Sequence, residues 1–244
     1  MRKILNILIV LFFWQIIYSI FHIKSIILPS PLEIIYAIFE SFLNGQILIH
    51  ILFSLKRVMI GFSVATAFGV ALALISGLNK YIEDLITPFV ELLRPIPPIA
   101  WIPIAILLFG IGDGSSYFIV FLGAFFPIFT NSFFGVKSLP KIYKNTCATF
   151  EIRSWNFFKK ILFPFSLPYI FTGMKIGLGT AWMSVIAAEL IGAQSGLGYY
   201  IQLNRLMLNI DQVIVGMILI GIVGYFLTKV MSLIQKNSLP WKKG

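Results

Sequence analysis

One carboxylate, Glu189 in the segment AAELIGA, lies deep in an apolar run, and no other acid of the chain does. A charge in hydrocarbon is costly, so an ionisable group in such a run is a functional candidate by default. Two readings stay open for Glu189: it caps or hydrogen-bonds backbone near the outer end of its helix, or it sits on a path for a solute or a proton. The usual chemistry is missing around it. His22, His50 and the single cysteine, Cys147, give no metal-ligand spacing. No Ser, His and Asp set suggests hydrolysis. No G-x-x-x-x-G-K-[ST] phosphate loop occurs, so the chain has no such cradle for ATP, and no cofactor is expected on it. The glycine cluster GAQSGLGYY, Gly192 to Tyr200, lacks the lysine and follows an apolar run, which makes it an external turn or a re-entrant segment. Uphill movement of a solute would therefore draw its energy from a partner or from an ion gradient.

The elements that must position Glu189 are membrane spans. Of the 244 residues 59% are hydrophobic and 11% charged, whereas soluble domains carry roughly 25% charged residues. A soluble enzyme is excluded, and the length suits about six spans of ~20 residues with little else. The apolar runs place them near Ile4–Phe21, Val58–Leu78, Ile99–Ile111, Ser116–Val136, Tyr169–Ile191 and Val213–Ser232. The start resembles a signal peptide, but its apolar run is long and no A-x-A site follows, so it reads as a retained span. The net charge of +10 fits membrane topology better than nucleic-acid binding, because basic residues gather on the cytoplasmic side of short loops. With a cytoplasmic N-terminus only Lys24, Lys56, Arg57 and Arg205 fall outside, and the other fifteen of the nineteen Lys and Arg lie within or near the inner ends. Both termini are thus expected in the cytoplasm. No cluster of Lys or Arg marks an anion site at mid-membrane.

Two connections are long. Ile23 to Arg57 is expected outside, with an amphipathic helix that begins near Pro31, is capped by Ser30 and lies on the membrane surface. Lys137 to Pro168 is expected inside. It carries Lys137, Lys141, Lys144, Arg153, Lys159 and Lys160 against Glu151 alone, interleaved with Phe150, Trp155, Phe157 and Phe158. Pro164 and Pro168 should block a regular helix there. By composition this loop is an interfacial helix on anionic lipid or a protein-binding surface. In the second span Gly61, Ala65, Gly69, Ala73 and Gly77 recur every fourth position, and Gly173 and Gly177 repeat the spacing in the fifth. Such rows let another helix approach closely, within one subunit or between two copies. The segment RPIPP, Arg94 to Pro98, cannot be regular helix and shapes the inner entry to the third span or forms a simple edge turn.

Several segments, in order, resemble a known family: LPSPLEII from Leu28, SLKRVMIGF from Ser54, RPIPPIAWIPIAILLFGIG from Arg94, FFPIFTNSFFGV from Phe125, PYIFTGMKIGLGTAW from Pro168 and AAELIGAQSGLGYYI from Ala187. Together, from about Leu28 to Gly224, they are similar to the membrane-spanning permease subunit of ATP-binding-cassette importers, in the group that takes up aliphatic sulfonates, taurine, nitrate and some vitamin precursors. The resemblance implies an all-α membrane protein, type I importer-like, with one permease domain over residues 1–244, a first span at 4–21, core spans at about 58–232 and a coupling loop at 137–168. It also implies a bacterial inner-membrane location and alternating access driven by partners. Those partners are two separate ATPase subunits that carry ATP and magnesium, an extracytoplasmic solute-binding protein, and a second copy of the chain. Nucleic acid is not among them.

On the same resemblance, Lys141, Lys144, Asn145, Ala148, Glu151, Arg153, Trp155, Lys159, Lys160 and Pro164 are expected to meet the ATPase. Ser195, Gly196, Gly198 and Tyr199, with the Leu28 to Gly45 loop, would face the binding protein. Glu189, Pro97, Pro98 and Trp101 are candidates for the path or its gate. The loop departs from the family pattern of Glu-Ala-Ala, then Gly, then Pro: Asn145, Thr146 and Cys147 stand first and Glu151 replaces the Gly, while Trp155 and Pro164 are kept. A glycine there permits positive φ. The turn is therefore expected either to form without a left-handed residue or to use Glu151 against a basic group of the ATPase. A gradient-driven carrier centred on Glu189, and a non-transporting scaffold or enzyme subunit, are the alternatives.

Overall fold

The computed structural model describes residues 9, 13–20, 28–152 and 154–242. Residues 13–20 are helical, and half of the first expected span, 4–21, lies outside the described residues. The first complete helix, α1, is Pro31–Leu43. Ser30 caps it by accepting from the Glu33 amide at 3.2 Å, while the Glu33 carboxylate accepts from the Ser30 amide at 2.7 Å. This reciprocal box, with Pro31 in the first turn, satisfies donors that a helix start otherwise leaves open. The helix packs on the last helix of the chain as well as facing outward.

Helix α2, Gln46–Leu78, has 33 residues, so at 1.5 Å per residue it runs about 50 Å. The second span therefore starts well before Val58, and Lys56 and Arg57 belong to the helix instead of an external loop. Next comes α3, Lys80–Leu93, capped by Asn79. A 93° bend separates it from a short 3-10 turn, Pro98–Trp101, and from α4, Ile102–Phe109. The expected third span, Ile99–Ile111, is thus corrected: the eight-residue α4 is too short to cross alone, and α3 with Pro98–Phe109 is long and apolar enough only as a bent pair, a broken span or a re-entrant loop. Pro95, Pro97 and Pro98 lack the N–H groups that would carry the helix through the bend.

Helix α5 is Asp113–Lys137, α6 is Lys141–Thr149 and α7 is Phe163–Gly192. The expectation that Pro164 and Pro168 end the helix is overturned, because the helix continues from Trp155 to Gly192. A π-helical segment, Phe158–Leu162, precedes Pro164 by less than two turns. It holds Lys160, whose carbonyl the Pro164 ring would meet in a regular α-helix, so the wider turn falls where the clash would occur. The connection expected over 137–168 shortens to the stretch around α6. Helices α8, Leu197–Leu206, and α9, Ile210–Ser238, complete the chain. Among the described residues four helices are long and apolar enough to cross a membrane, and the bent pair makes a fifth if counted as one.

Helix α5 is the axis, packed most extensively on α7 and α2. The small-residue row of α2 explains why. A Cβ on Gly61 would stand 2.6 Å from Val120, one on Gly69 would stand 3.1 Å from Ile128, and one on Gly77 would collide with Val136. Partners eight residues apart on both helices mean that α2 and α5 run parallel, backbone against backbone. On the other side of α5, Gly173 and Gly177 of α7 admit Asn131 and Ile128, while Gly135 of α5 admits Tyr169. The rows are therefore contacts within one subunit. Trp182 of α7 donates from Nε1 to the Ile220 carbonyl at 3.0 Å and ties α9 to the core.

Candidate functional site

The end of the bundle where α2 and α5 begin and α7 finishes holds a closed ion network. His50, Ser54 and Arg57 are spaced four and three apart, which puts all three on one helical face. The Arg57 side chain is 2% exposed and that of Glu189 0%. Arg57 donates from Nη1 to Glu189 Oε1 at 2.9 Å and to the Ser195 carbonyl at 2.5 Å, from Nη2 to Ser195 Oγ at 2.7 Å, and from Nε to Asp113 Oδ1 at 2.8 Å. Its planar fork suits such divided duty. Glu189 also accepts from Ser54 Oγ at 2.8 and 2.9 Å and from the Gly198 amide at 3.0 Å.

The same residues cap α8. Gly196 is its N-cap and has no side chain to offer. In its place His50 Nδ1 accepts from the Gly196 amide at 3.1 Å, Ser54 Oγ from the Leu197 amide at 2.9 Å, and Glu189 from the Gly198 amide. Three helix-start donors are answered from two other helices, with a carboxylate at the positive end of the helix dipole. Both glycines are required. Gly196 has φ +104°, and a Cβ on it would overlap the Glu189 carboxylate; one on Gly198 would stand 2.5 Å from the Ile186 carbonyl.

Gly196 and Gly198, expected to face a binding protein, are buried and turned inward, and Ser195 and Tyr199 are half-buried; Gln194 is the exposed residue of the turn. Sequence reasoning missed Arg57, Ser54 and Asp113. The signal was the polar face of His50, Ser54 and Arg57, hidden when the span was started at Val58, after the charges.

At mid-length of α5 a cavity of about 420 Å³ opens between α5, α7 and the bend that follows α3. Pro98 lines it, together with Arg94, Phe126, Thr130, Asn131 and Thr180. Pro97 is exposed beside it, and Trp101 packs with Ile102, Ala105 and Ala188. Glu189 does not line this cavity, because its carboxylate is spent in the ion network.

The opposite end is built differently. Helix α6 carries Lys141, Lys144, Asn145 and Ala148. Its end is closed by the Ile152 amide, which donates to the Cys147 carbonyl at 2.9 Å across Glu151, whose φ is +51°. This is the left-handed C-terminal turn that usually holds Gly, so the turn is left-handed with Glu in it. Arg153 lies outside the described residues. Phe150 is 73% exposed, Ile142 67% and Trp155 66%, with Trp155 stacked on Phe158 at 5.7 Å. Lys159 and Lys160 are exposed in the π segment, and Pro164 is half-buried. Nearby, Lys137 pairs with Glu83 at the surface.

A bundle centred on one helix, with a bent helix pair beside a mid-depth cavity, is an all-α membrane fold. The inward-facing MetNI methionine ABC transporter shares it: a TM-score of 0.63 over 82% of this chain and 97% of that one, at 19% identity. The family of binding-protein-dependent transport system inner membrane components matches residues 65–244, and the chain belongs to it. A putative ABC transporter permease protein of Methanocaldococcus jannaschii, MJ0413, is 35% identical over 94% of this chain and 88% of its own length. The nitrate import permease protein NrtB of Synechocystis is 33% identical over 98% and 89%, and the taurine transport system permease protein TauC of Escherichia coli 29% over 93% and 85%. The chain is thus the permease component of an ABC importer in the inner membrane and not itself an enzyme. That replaces the gradient-driven carrier and the scaffold as readings.

Proposed function

We propose that this permease forms the path for a small solute of the sulfonate, taurine, nitrate or vitamin-precursor kind. It would receive the solute from an extracytoplasmic binding protein at the end where Arg57 and Glu189 pair, and be driven by two ATPase subunits docked around α6. The observation that carries the reading is the apolar surface of Ile142, Phe150 and Trp155, exposed beside Lys141, Lys159 and Lys160. Aromatic anchors on a surface with an excess of positive charge suit a protein partner, and no membrane-length helix runs through this stretch before Trp155. Both termini then lie in the cytoplasm, with residues 138–157. A second copy completes the path, and Glu189 acts as part of a gate that stays shut while its network is closed. Alternating access follows when ATP-driven closure of the ATPases moves α6 and, through the continuous helix from Trp155, rocks α7 as a rigid rod.

The test is reconstitution with the cognate ATPase and binding protein. Uptake of a sulfonate, taurine or nitrate is expected only with hydrolysable ATP. Uptake by the permease alone under a proton gradient would overturn the reading.

A further inference from the structure

Arg94 has a place in the fold that its sequence position at the edge of an apolar run does not suggest. Its amide closes the last turn of α3 by donating to the Val90 carbonyl at 2.8 Å, and Pro95 then ends the helix. The 93° bend carries the following segment away, so the guanidinium is left at the break, on the wall of the 420 Å³ cavity. The α5 residues facing it, Leu122 to Asn131, are the middle of the 25-residue helix Asp113–Lys137. Among the described residues Arg94 makes no ion pair and no side-chain hydrogen bond, and no carboxylate lines the cavity. Arg57, by contrast, is paired twice over. Arg94 is exposed where it lines the cavity, so its unpaired charge is open to an anionic group that enters there.

The rest of the wall says what ligand. Asn131 and Thr180 line it, but their side chains already donate to the carbonyls of Pro127 at 2.8 Å and Gly123 at 2.6 Å, while Thr130 and Ser184 add two hydroxyls that could serve an anionic head. Leu122, Phe126 and Met183 supply apolar surface. A volume of this size suits a small organic molecule. An inorganic anion would answer the charge and leave the apolar walls unfilled. A zwitterion would bring an ammonium group to a cavity with no acid. We propose that this cavity is the substrate-holding section of the path, with Arg94 reading an anionic head and the apolar walls taking an alkyl tail, so that an alkyl sulfonate fits better than nitrate or taurine. The proposal rests on the permease reading and narrows it.

Charged thiol reagents test it without ATP or binding protein, so its failure is separable from failure of ATP-driven uptake. In the full chain with Cys147→Ser and Met183→Cys, in lipid nanodiscs, the sulfonate reagent 2-sulfonatoethyl methanethiosulfonate is compared with its trimethylammonium counterpart, each rate relative to a free thiol in solution. The anionic reagent is expected to be favoured by about tenfold, an advantage that one nearby positive charge supplies at intermediate dielectric. Arg94→Gln should remove the preference and Arg94→Lys should keep it. Hexanesulfonate should slow the modification while equimolar nitrate does not. Equal rates for both reagents with Arg94 present, or a preference that survives Arg94→Gln, would show that Arg94 turns away to the bilayer surface and would overturn the proposal. Equal protection by nitrate would overturn the alkyl-tail part.

Discussion

The two ends of the bundle solve opposite problems. Where Arg57 meets Glu189, the guanidinium makes four hydrogen bonds and both carboxylate oxygens find partners, drawn from four helices and the Ser195 turn, and side-chain exposure falls to 2% and 0%. Around α6 the chain leaves Phe150, Ile142 and Trp155 in the open, and spends a left-handed conformation on a glutamate. The first end is complete by itself. The second leaves apolar surface uncovered, and on the proposed function the contrast separates a part that holds the subunit together from a part that receives force.

The largest effect should come from breaking the closed end. Arg57→Met leaves Glu189 buried without its counter-charge, which costs about 3–5 kcal/mol where one partner of a buried pair is removed. The unfolding midpoint in detergent should fall accordingly, and Arg57→Met with Glu189→Leu should recover most of the loss. Gly196→Ala comes next, since it places a methyl in the Glu189 carboxylate at φ +104°; about 1–3 kcal/mol is expected for strain of that kind. At the other end Glu151→Gly should relax the turn by about 1 kcal/mol, seen as slower hydrogen exchange of the Ile152 amide. If ATP-driven uptake is unchanged in that variant, Glu151 makes no required contact with the ATPase. Smallest of all, Lys137→Met removes a surface pair with Glu83 and should shift stability by less than about 1 kcal/mol. A Lys137 effect as large as that of Arg57 would erase the distinction between the ends.

Much of the fold was legible because lipid imposes length and apolarity on each span. The expected span Ser116–Val136 became Asp113–Lys137, and the cap at Ser30 formed with Glu33 as its partner. The row from Gly61 to Gly77 announced a close helix contact, though not that Val120, Ile128 and Val136 would fill it. Residues at the helix ends misled. Lys56 and Arg57 looked like loop charges because the span was begun at Val58, just after them, yet Arg57 is buried by partners 56 and 132 residues away in sequence, which local spacing does not identify. Pro164 looked like a break, but a π segment upstream absorbs the ring. Arg94 looked like a flanking charge, and only the bend after α3 turns it onto the cavity wall.

The most direct measurement is made on the open end. Phe150→Ser with Trp155→Ser removes the two most exposed aromatic anchors while leaving the Arg57 and Glu189 network untouched. If the ATPase docks at this end, the unfolding midpoint stays unchanged, the ATPase subunit is lost on co-purification, and ATP-driven uptake stops. A variant that keeps its ATPase and transports at the native rate would contradict it.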